Sequence, residues 1–155
     1  MNTLIKQVQD WGIDKGLMNT SPVAQSYKII EEFGETTGAM VKGKLDELKD
    51  GIGDTLVTII INEMQLGIDF KVEYLPFNIP FVSAFKSLAE MVNIASKSEE
   101  GLNDKEKYSY QVHANYMVTF LDELAKKHNW TLEECLQVAY DEIKENMFLN
   151  ILRQR

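Results

Sequence analysis

The chain has 155 residues, of which 45% are hydrophobic, and its formal net charge is −8. A chain of this size typically removes ~70% of its unfolded surface from water, so we predict one folded domain over residues 1–155. The acidic balance argues against binding to nucleic acid or to an anionic membrane, because both recruit basic patches.

The sequence also predicts where the protein resides. The first ten residues lack the apolar segment of a signal peptide. The longest strongly apolar stretch, residues 56–61, is far shorter than the ~20 residues of a membrane span. Cys135 is the single cysteine, so no internal disulfide is expected. We therefore expect a soluble cytoplasmic protein.

Hydrophobic periodicity is helical along nearly the whole chain. The first predicted helix spans residues 2–15. Ser21 followed by Pro22 is typical of a helix start, and a second helix is predicted from there to Lys42, just before a glycine. A third helix is predicted over residues 45–65. Its positions are mostly apolar, so it should lie inside the protein.

The second half of the chain continues this pattern after a connection. We predict the connection over residues 68–80 and a fourth helix over residues 80–96. A polar linker over residues 97–103 then leads to a fifth helix over residues 104–128. The connection contains two prolines and a short β-like patch at residues 70–74. Thr131 and Glu134 form a capping-box pattern at the start of a last helix, which runs to residue 147 or beyond. The predicted fold is an all-α bundle of about six helices.

Two polar stripes mark the second and third helices. The first stripe has spacings of +3, +4 and +3 and consists of Gln25, Lys28, Glu32 and Glu35. The second has spacings of +3, +4, +4 and +4 and consists of Glu47, Asp50, Asp54, Thr58 and Asn62. Such spacings place the side chains on one face of each helix. Because the third helix is mostly apolar, its stripe cannot simply be a solvated surface.

Carboxylates grouped in this way need cations or protons. Two unit charges ~4 Å apart repel by about 4 kcal/mol at an effective dielectric constant of 20. Lys28 is the only basic residue on the two stripes. Ligands that are all oxygen favour Mg²⁺ or Mn²⁺ over Zn²⁺. Two such ions would clamp a polyphosphate and activate water for in-line attack, with a spare carboxylate as general base.

Gly51 and Gly53 stand inside the third predicted helix, where each costs about 1 kcal/mol relative to alanine. Two interpretations of these glycines stay open. Either a backbone or a ligand approaches the helix closely at this point, or the helix begins nearer Gly53.

The two stripes contain segments that resemble a known family. Glu32-Phe33-Gly34-Glu35 and Asp50-Gly51-Ile52-Gly53-Asp54 resemble the E-x-x-E and E-x-x-D motifs of the MazG-like, all-α nucleoside triphosphate pyrophosphohydrolases, especially the phage-type members. Residues 8–16, which include Trp11, and residues 131–144 are also similar, so the resemblance covers most of the chain.

The resemblance implies an activity and a set of site residues. The implied activity is Mg²⁺-dependent cleavage of an NTP or dNTP to the monophosphate and pyrophosphate, including the removal of modified nucleotides. The implied partner is a second copy of the chain in a homodimer, with a tetramer as the alternative. The implied roles are metal binding by Glu32, Glu35, Asp50 and Asp54, general base catalysis by Glu31 or Glu47, and substrate contact by Trp11, Gln25, Lys28 and Lys144.

The sequence departs from the family pattern at two places. Gly51 stands where the second motif has its glutamate, so Asp50 or Glu47 must replace that acid. The basic cluster expected after Lys144 is missing. An alternative function is therefore a catalytically weak or inactive nucleotide- or metal-binding protein with a regulatory role. A third alternative is a helical oligomerisation module.

Overall fold

A computed structural model gives the fold of the chain. It describes residues 1–153, and for residues 147–151 it describes the backbone only. The helices are α1 (Asn2–Asp14), α2 (Pro22–Lys42), α3 (Leu45–Gln65), α4 (Phe81–Ala95), α5 (Asp104–Lys126) and α6 (Leu132–Arg153). Short 3₁₀ turns lie at Leu17–Asn19 and Ser98–Glu100. Residues 1–153 contain no strand, which confirms the predicted all-α bundle.

The predicted helix starts are confirmed by their caps. The Ser21 hydroxyl accepts a hydrogen bond from the Ala24 N–H at 3.2 Å, and Pro22 occupies the first helical position. At the start of α6, the Glu134 N–H donates to the Thr131 hydroxyl at 3.1 Å and the Thr131 N–H donates to the Glu134 carboxylate at 2.9 Å. These bonds satisfy N–H groups that the first turn of a helix leaves without partners.

Helix boundaries differ from the prediction by one or two residues. The first helix ends at Asp14 rather than at residue 15, and the fifth ends at Lys126 rather than at 128. The 3₁₀ turn at Leu17–Asn19 was not predicted. It follows Gly16, whose φ of 73° lies in the left-handed region that glycine adopts without strain.

The predicted connection between the third and fourth helices has no regular secondary structure, and its β-like patch does not form a strand. Side chains of α5 satisfy its backbone instead. The Leu75 N–H donates to the Thr119 hydroxyl at 2.9 Å, and the Ile79 N–H donates to the Glu123 carboxylate at 3.0 Å. Such bonds hold an irregular segment on the surface of the bundle without a strand partner.

The third helix, α3, is the central helix, as the sequence predicts. It packs against α1, α2, α5 and α6. Ile52, Leu56 and Ile60 on α3 are completely buried. The far end of its polar stripe is also buried, because Asn62 donates to the Pro22 carbonyl at 2.9 Å and accepts from the Tyr110 hydroxyl at 2.6 Å. That end of the stripe is therefore structural.

Gly51 and Gly53 are explained by the close approach of other helices. A Cβ at Gly51 would lie 2.6 Å from the Thr36 hydroxyl oxygen and 3.2 Å from the Thr36 Cα on α2. A Cβ at Gly53 would overlap the Cys135 carbonyl on α6. The interpretation of a close backbone approach is confirmed, and the alternative of a helix start near Gly53 is wrong, because α3 begins at Leu45.

None of the helices described is both long enough and apolar enough to cross a membrane.

Candidate functional site

An acidic cleft of about 600 Å³ opens between α2 and α3. Five carboxylates line it, namely those of Glu31, Glu35, Glu47, Asp50 and Asp54. Lys42 is the one basic residue among the described residues of the lining. The two predicted stripes therefore meet, since the first contributes Glu35 to the cleft and the second contributes Glu47, Asp50 and Asp54. This arrangement follows from the packing of α2 against α3 at Gly51.

Three carboxylates at one end of the acidic cleft are close enough to share a cation. One oxygen from each of Asp50, Asp54 and Glu142 lies within 4.8 Å of the others. The Glu142 side chain is exposed on α6 and was not among the predicted site residues. It reaches α3 because Gly53 lets the α6 backbone approach at Cys135. No local pattern around residue 142 predicts this contact.

Burial and mutual repulsion raise the pKa values of Asp54, Asp50 and Glu32. Burial, then repulsion from Asp50 and Glu32, raises the pKa of Asp54 to about 8. Burial, then a hydrogen bond with Glu142, raises the pKa of Asp50 to about 6. Burial, then repulsion from Glu35, raises the pKa of Glu32 to about 7. A bound cation would stabilise the charged carboxylates and take the place of these protons.

The residues present fit a hard divalent cation. The Asp50 Oδ1 atom is buried and has no hydrogen-bond partner in the part of the chain that the structure describes. A buried acceptor without a partner is costly, and a cation would satisfy it. Since the three-residue cluster offers oxygen atoms alone, Mg²⁺ or Mn²⁺ fits it better than Zn²⁺.

A second cavity of about 300 Å³, the apolar pocket, adjoins the acidic cleft at Asp54, which lines both. Its apolar wall comes from α1, the turn after it, α3 and α6, and consists of Trp11, Leu17, Val57, Ile61 and Ile143. Its polar lining consists of Gln25, Lys28, Glu32, Asp54 and Thr58. The Gln25 amide donates to the Thr58 carbonyl at 3.4 Å, which links α2 to α3 at the wall of the pocket.

The predicted site residues divide between these two cavities. Glu32 lies in the apolar pocket with Trp11, Gln25 and Lys28, whereas the other predicted acids line the acidic cleft. Lys144 is exposed on α6 and is not among the described residues that line either cavity.

Both predicted general bases are held by neighbouring lysines. The Glu31 carboxylate lies 3.6 Å from the Lys28 ammonium, and the Glu47 carboxylate lies 3.2 Å from the Lys44 ammonium. All four side chains are more than half exposed, so these ion pairs add little stability. They do keep both carboxylates at the rim of the acidic cleft.

Comparison with known proteins gives a partial match. The chain is 39% identical over 74 residues to an uncharacterized 18.2 kDa protein in the rep-hol intergenic region of Haemophilus phage HP1 (strain HP1c1). The alignment covers 47% of this chain and 45% of the phage protein, so the chain matches less than half of that relative's length. No protein-family model and no solved structure matches the chain. Function must therefore be inferred from the site itself.

Proposed function

We propose that this protein is a Mg²⁺-dependent nucleoside triphosphate pyrophosphohydrolase of the MazG-like kind, acting in the cytoplasm on an NTP or dNTP, including modified nucleotides. One observation carries the proposal: Asp54 lines both an acidic cleft and an apolar pocket. A nucleoside triphosphate has two parts that match these cavities. Its polyphosphate binds metal ions and fits the acidic cleft, and its base fits an apolar pocket with a few polar groups.

The metal in this proposal is held by Asp50, Asp54 and Glu35, with Glu142 as a further ligand. Glu142 takes the place of the acid that the family has at the position of Gly51. That acid has no room here, because a side chain at residue 51 would collide with Thr36. A bound Mg²⁺ would neutralise the carboxylates and withdraw electron density from the phosphate. Glu32 would add a further negative charge near the metal from the side of the apolar pocket.

The remaining residues bind and orient the substrate. The base stacks or packs on the Trp11 side of the apolar pocket, and Gln25 offers its amide to the polar edge of the base. Lys28 supplies positive charge to the phosphates from the same pocket. Lys144 lines neither cavity, so it would reach the phosphates only from the exposed face of α6.

The reaction is hydrolysis between the α- and β-phosphates. A water molecule attacks the α-phosphorus, a new phosphorus–oxygen bond forms, and the bond from the α-phosphorus to the bridging oxygen breaks. Pyrophosphate leaves with the bridging oxygen, and the proton of the water passes to the carboxylate of Glu31 or Glu47. Both carboxylates lie at the rim of the acidic cleft, where water is available.

The assay that tests this proposal measures pyrophosphate release from a panel of ordinary and modified nucleotides with Mg²⁺. We expect Glu35→Gln and Asp54→Asn to lower the rate by at least about 100-fold, since even groups that only support metal ligands typically contribute 10–100-fold. The matched control is Asp46→Asn, an exposed acid on α3 outside both cavities, which should keep the wild-type rate.

Two outcomes would change the assignment. Wild-type rates in Glu35→Gln and Asp54→Asn would remove these residues from the site. Nucleotide binding by calorimetry without turnover in the wild type would select the alternative, a regulatory binder of nucleotide or metal that has lost catalysis. The absence of the family's acid at Gly51 is the observation that favours this alternative.

A further inference from the structure

Helices α2 and α4 together expose an apolar face. On α2 it consists of Tyr27, Ile30 and Val41, which are 56%, 44% and 78% exposed. On α4 it consists of Phe81 and Phe85, which are 39% and 54% exposed. We call these five residues the α2–α4 face.

The two parts of the α2–α4 face are joined by aromatic packing on the buried ring of Phe33. The Phe81 ring stacks on Phe33 of α2 with 5.4 Å between ring centroids, and the Phe85 ring lies 6.4 Å from Phe81. Ile30 lies one helical turn before Phe33, so it extends the same surface along α2. The aromatic ridge of α4 therefore continues onto the exposed side of α2.

Two glycines on α2 have no role in packing within the chain. A Cβ at Gly34 or at Gly38 would meet no atom within 4 Å, unlike one at Gly51 or Gly53. A glycine inside a helix costs about 1 kcal/mol relative to alanine. Both glycines lie at helical spacing from Ile30 and Val41, on the side that faces away from the core. A close approach by another backbone would account for them.

We propose that the α2–α4 face is a homodimer interface in which the α2 helices of two copies cross antiparallel, with Gly34 of each against Gly38 of the other. An antiparallel two-fold pair matches residues at equal distances from the midpoint of these glycines. Ile30 stands six residues before that midpoint and Val41 five residues after it, so Ile30 of one copy lies next to Val41 of the second copy.

The same register pairs opposite charges at the edge of the interface. Lys42 lies four residues after Gly38, and Glu31 lies three residues before Gly34, so their heights along the helix axes agree within about 1.5 Å. Their angular positions place both on the same side of α2, between the apolar side chains and the acidic cleft. Lys42 of each copy therefore faces the second copy's Glu31, and the surface is self-complementary in charge.

The exposed area is of the size that such a dimer needs. If each aromatic side chain offers about 200 Å², then Tyr27, Phe81 and Phe85 leave about 300 Å² exposed, to which Ile30 and Val41 add. A standard interface covers about 800 Å² per partner, and in homodimers roughly 65% of the interface area is apolar.

The interface also has a consequence for the site, and this consequence alone rests on the proposed function. Gly34, Gly38 and Lys42 line the acidic cleft as well as the proposed interface. The described lining of each cleft has five carboxylates and one lysine, the Lys42 of the same copy. The second copy's Lys42 would therefore add a second positive charge at the rim of the cleft. Each copy would help the other to hold a polyphosphate.

Sedimentation velocity or light scattering over a wide concentration range, without Mg²⁺ or nucleotide, tests the interface separately from the activity. We expect the wild type to be a dimer. Ile30→Glu and Phe85→Glu should each raise the dissociation constant on the order of 100-fold, as central apolar contacts do. Tyr108→Glu is the matched control, since Tyr108 is 69% exposed on α5, away from this face, and the dimer should persist.

A charge exchange tests the register. Lys42→Glu and Glu31→Lys should each weaken the dimer about 10-fold, and the double variant should restore it. Circular dichroism checks that every variant keeps its helix content. A monomeric wild type, or dimers in Ile30→Glu and Phe85→Glu as tight as in Tyr108→Glu, would overturn the interface. Failure of the double variant to recover would overturn the antiparallel register.

Discussion

At the scale of single residues, the site depends on how Asp50, Asp54 and Glu142 share negative charge. Their oxygens lie within 4.8 Å of one another, and the pKa values of both aspartates are raised, chiefly by burial. Glu142 contributes from α6, whereas the two aspartates stand one turn apart on α3. A cation at this point would therefore have ligands from α3 and α6, and Glu35 would add one from α2.

Glu142→Gln tests the part that this residue plays. We expect the affinity for Mg²⁺ to fall about 10–100-fold, because the variant removes one charged oxygen ligand and leaves the aspartates in place. Titration calorimetry with Mg²⁺ alone measures this change. Glu145→Gln is the matched control, since Glu145 is also exposed on α6 and lies outside the cluster. Equal Mg²⁺ affinity in both variants would exclude Glu142 as a ligand.

At the scale of helices, the contact between α3 and α6 determines the geometry of the cluster. Gly53 has no side chain, so the α6 backbone at Cys135 and the Ala139 side chain pack directly on α3. Cys135 is completely buried there, and burial raises the pKa of its thiol to about 11, so the neutral thiol is a packing group rather than a reactive one. Glu142 follows on the same helix.

Gly53→Ala tests this arrangement. The added methyl group would overlap the Cys135 carbonyl, so α6 must move away from α3. We expect a loss of about 1–3 kcal/mol in the free energy of unfolding, the usual cost of overpacking. The increase in melting temperature caused by Mg²⁺ should also shrink, although every carboxylate remains. Wild-type stability and an unchanged Mg²⁺ effect would show that the close contact does not position Glu142.

At the scale of the whole molecule, an acidic protein with a net charge of −8 buries several carboxyl groups. Glu63 on α3 is 2% exposed and lies apart from the acidic cleft, and burial followed by repulsion from Asp69 raises its pKa to about 8. The unfolded value is about 4.5, so the folded state binds a proton that the unfolded state releases between these two values.

The stability of the metal-free protein should therefore depend on pH with a defined sign. The contribution of Glu63 is complete below about pH 4.5 and is lost as the pH rises to about 8. This residue alone changes the free energy of unfolding by up to ~1.4 kcal/mol per pH unit in that window. The raised pKa values of Glu32, Asp50 and Asp54 act in the same direction.

Urea unfolding at a series of pH values, in the presence of a chelator, measures this dependence. Glu63→Gln stays neutral at every pH, so we expect a shallower loss of stability than in the wild type. Glu73→Gln, in which an exposed acid is changed, should follow the wild-type curve. Identical slopes in Glu63→Gln and the wild type would mean that Glu63 is charged in the folded protein at neutral pH.

The local structure was largely predictable from the sequence. The start of α2 at Ser21 and Pro22, the start of α6 at Thr131, and the end of α2 before Gly43 depend on neighbouring residues alone. Helical spacing likewise predicted that carboxylates would line one face of α2 and one face of α3. These features could be derived because capping bonds and the 3.6-residue period act within a few residues.

The composition of the site required the tertiary structure. The proximity of Glu142 to Asp54 depends on how closely α6 approaches α3. Gly53 indicates that another backbone approaches α3, but the glycine alone does not show which helix does so. The glycine at position 51 has a similar explanation, since Thr36 on the neighbouring helix fills the space of a side chain. Local patterns of the sequence thus determined the helices and their acidic faces. Packing between residues far apart in the chain decided which carboxylates meet.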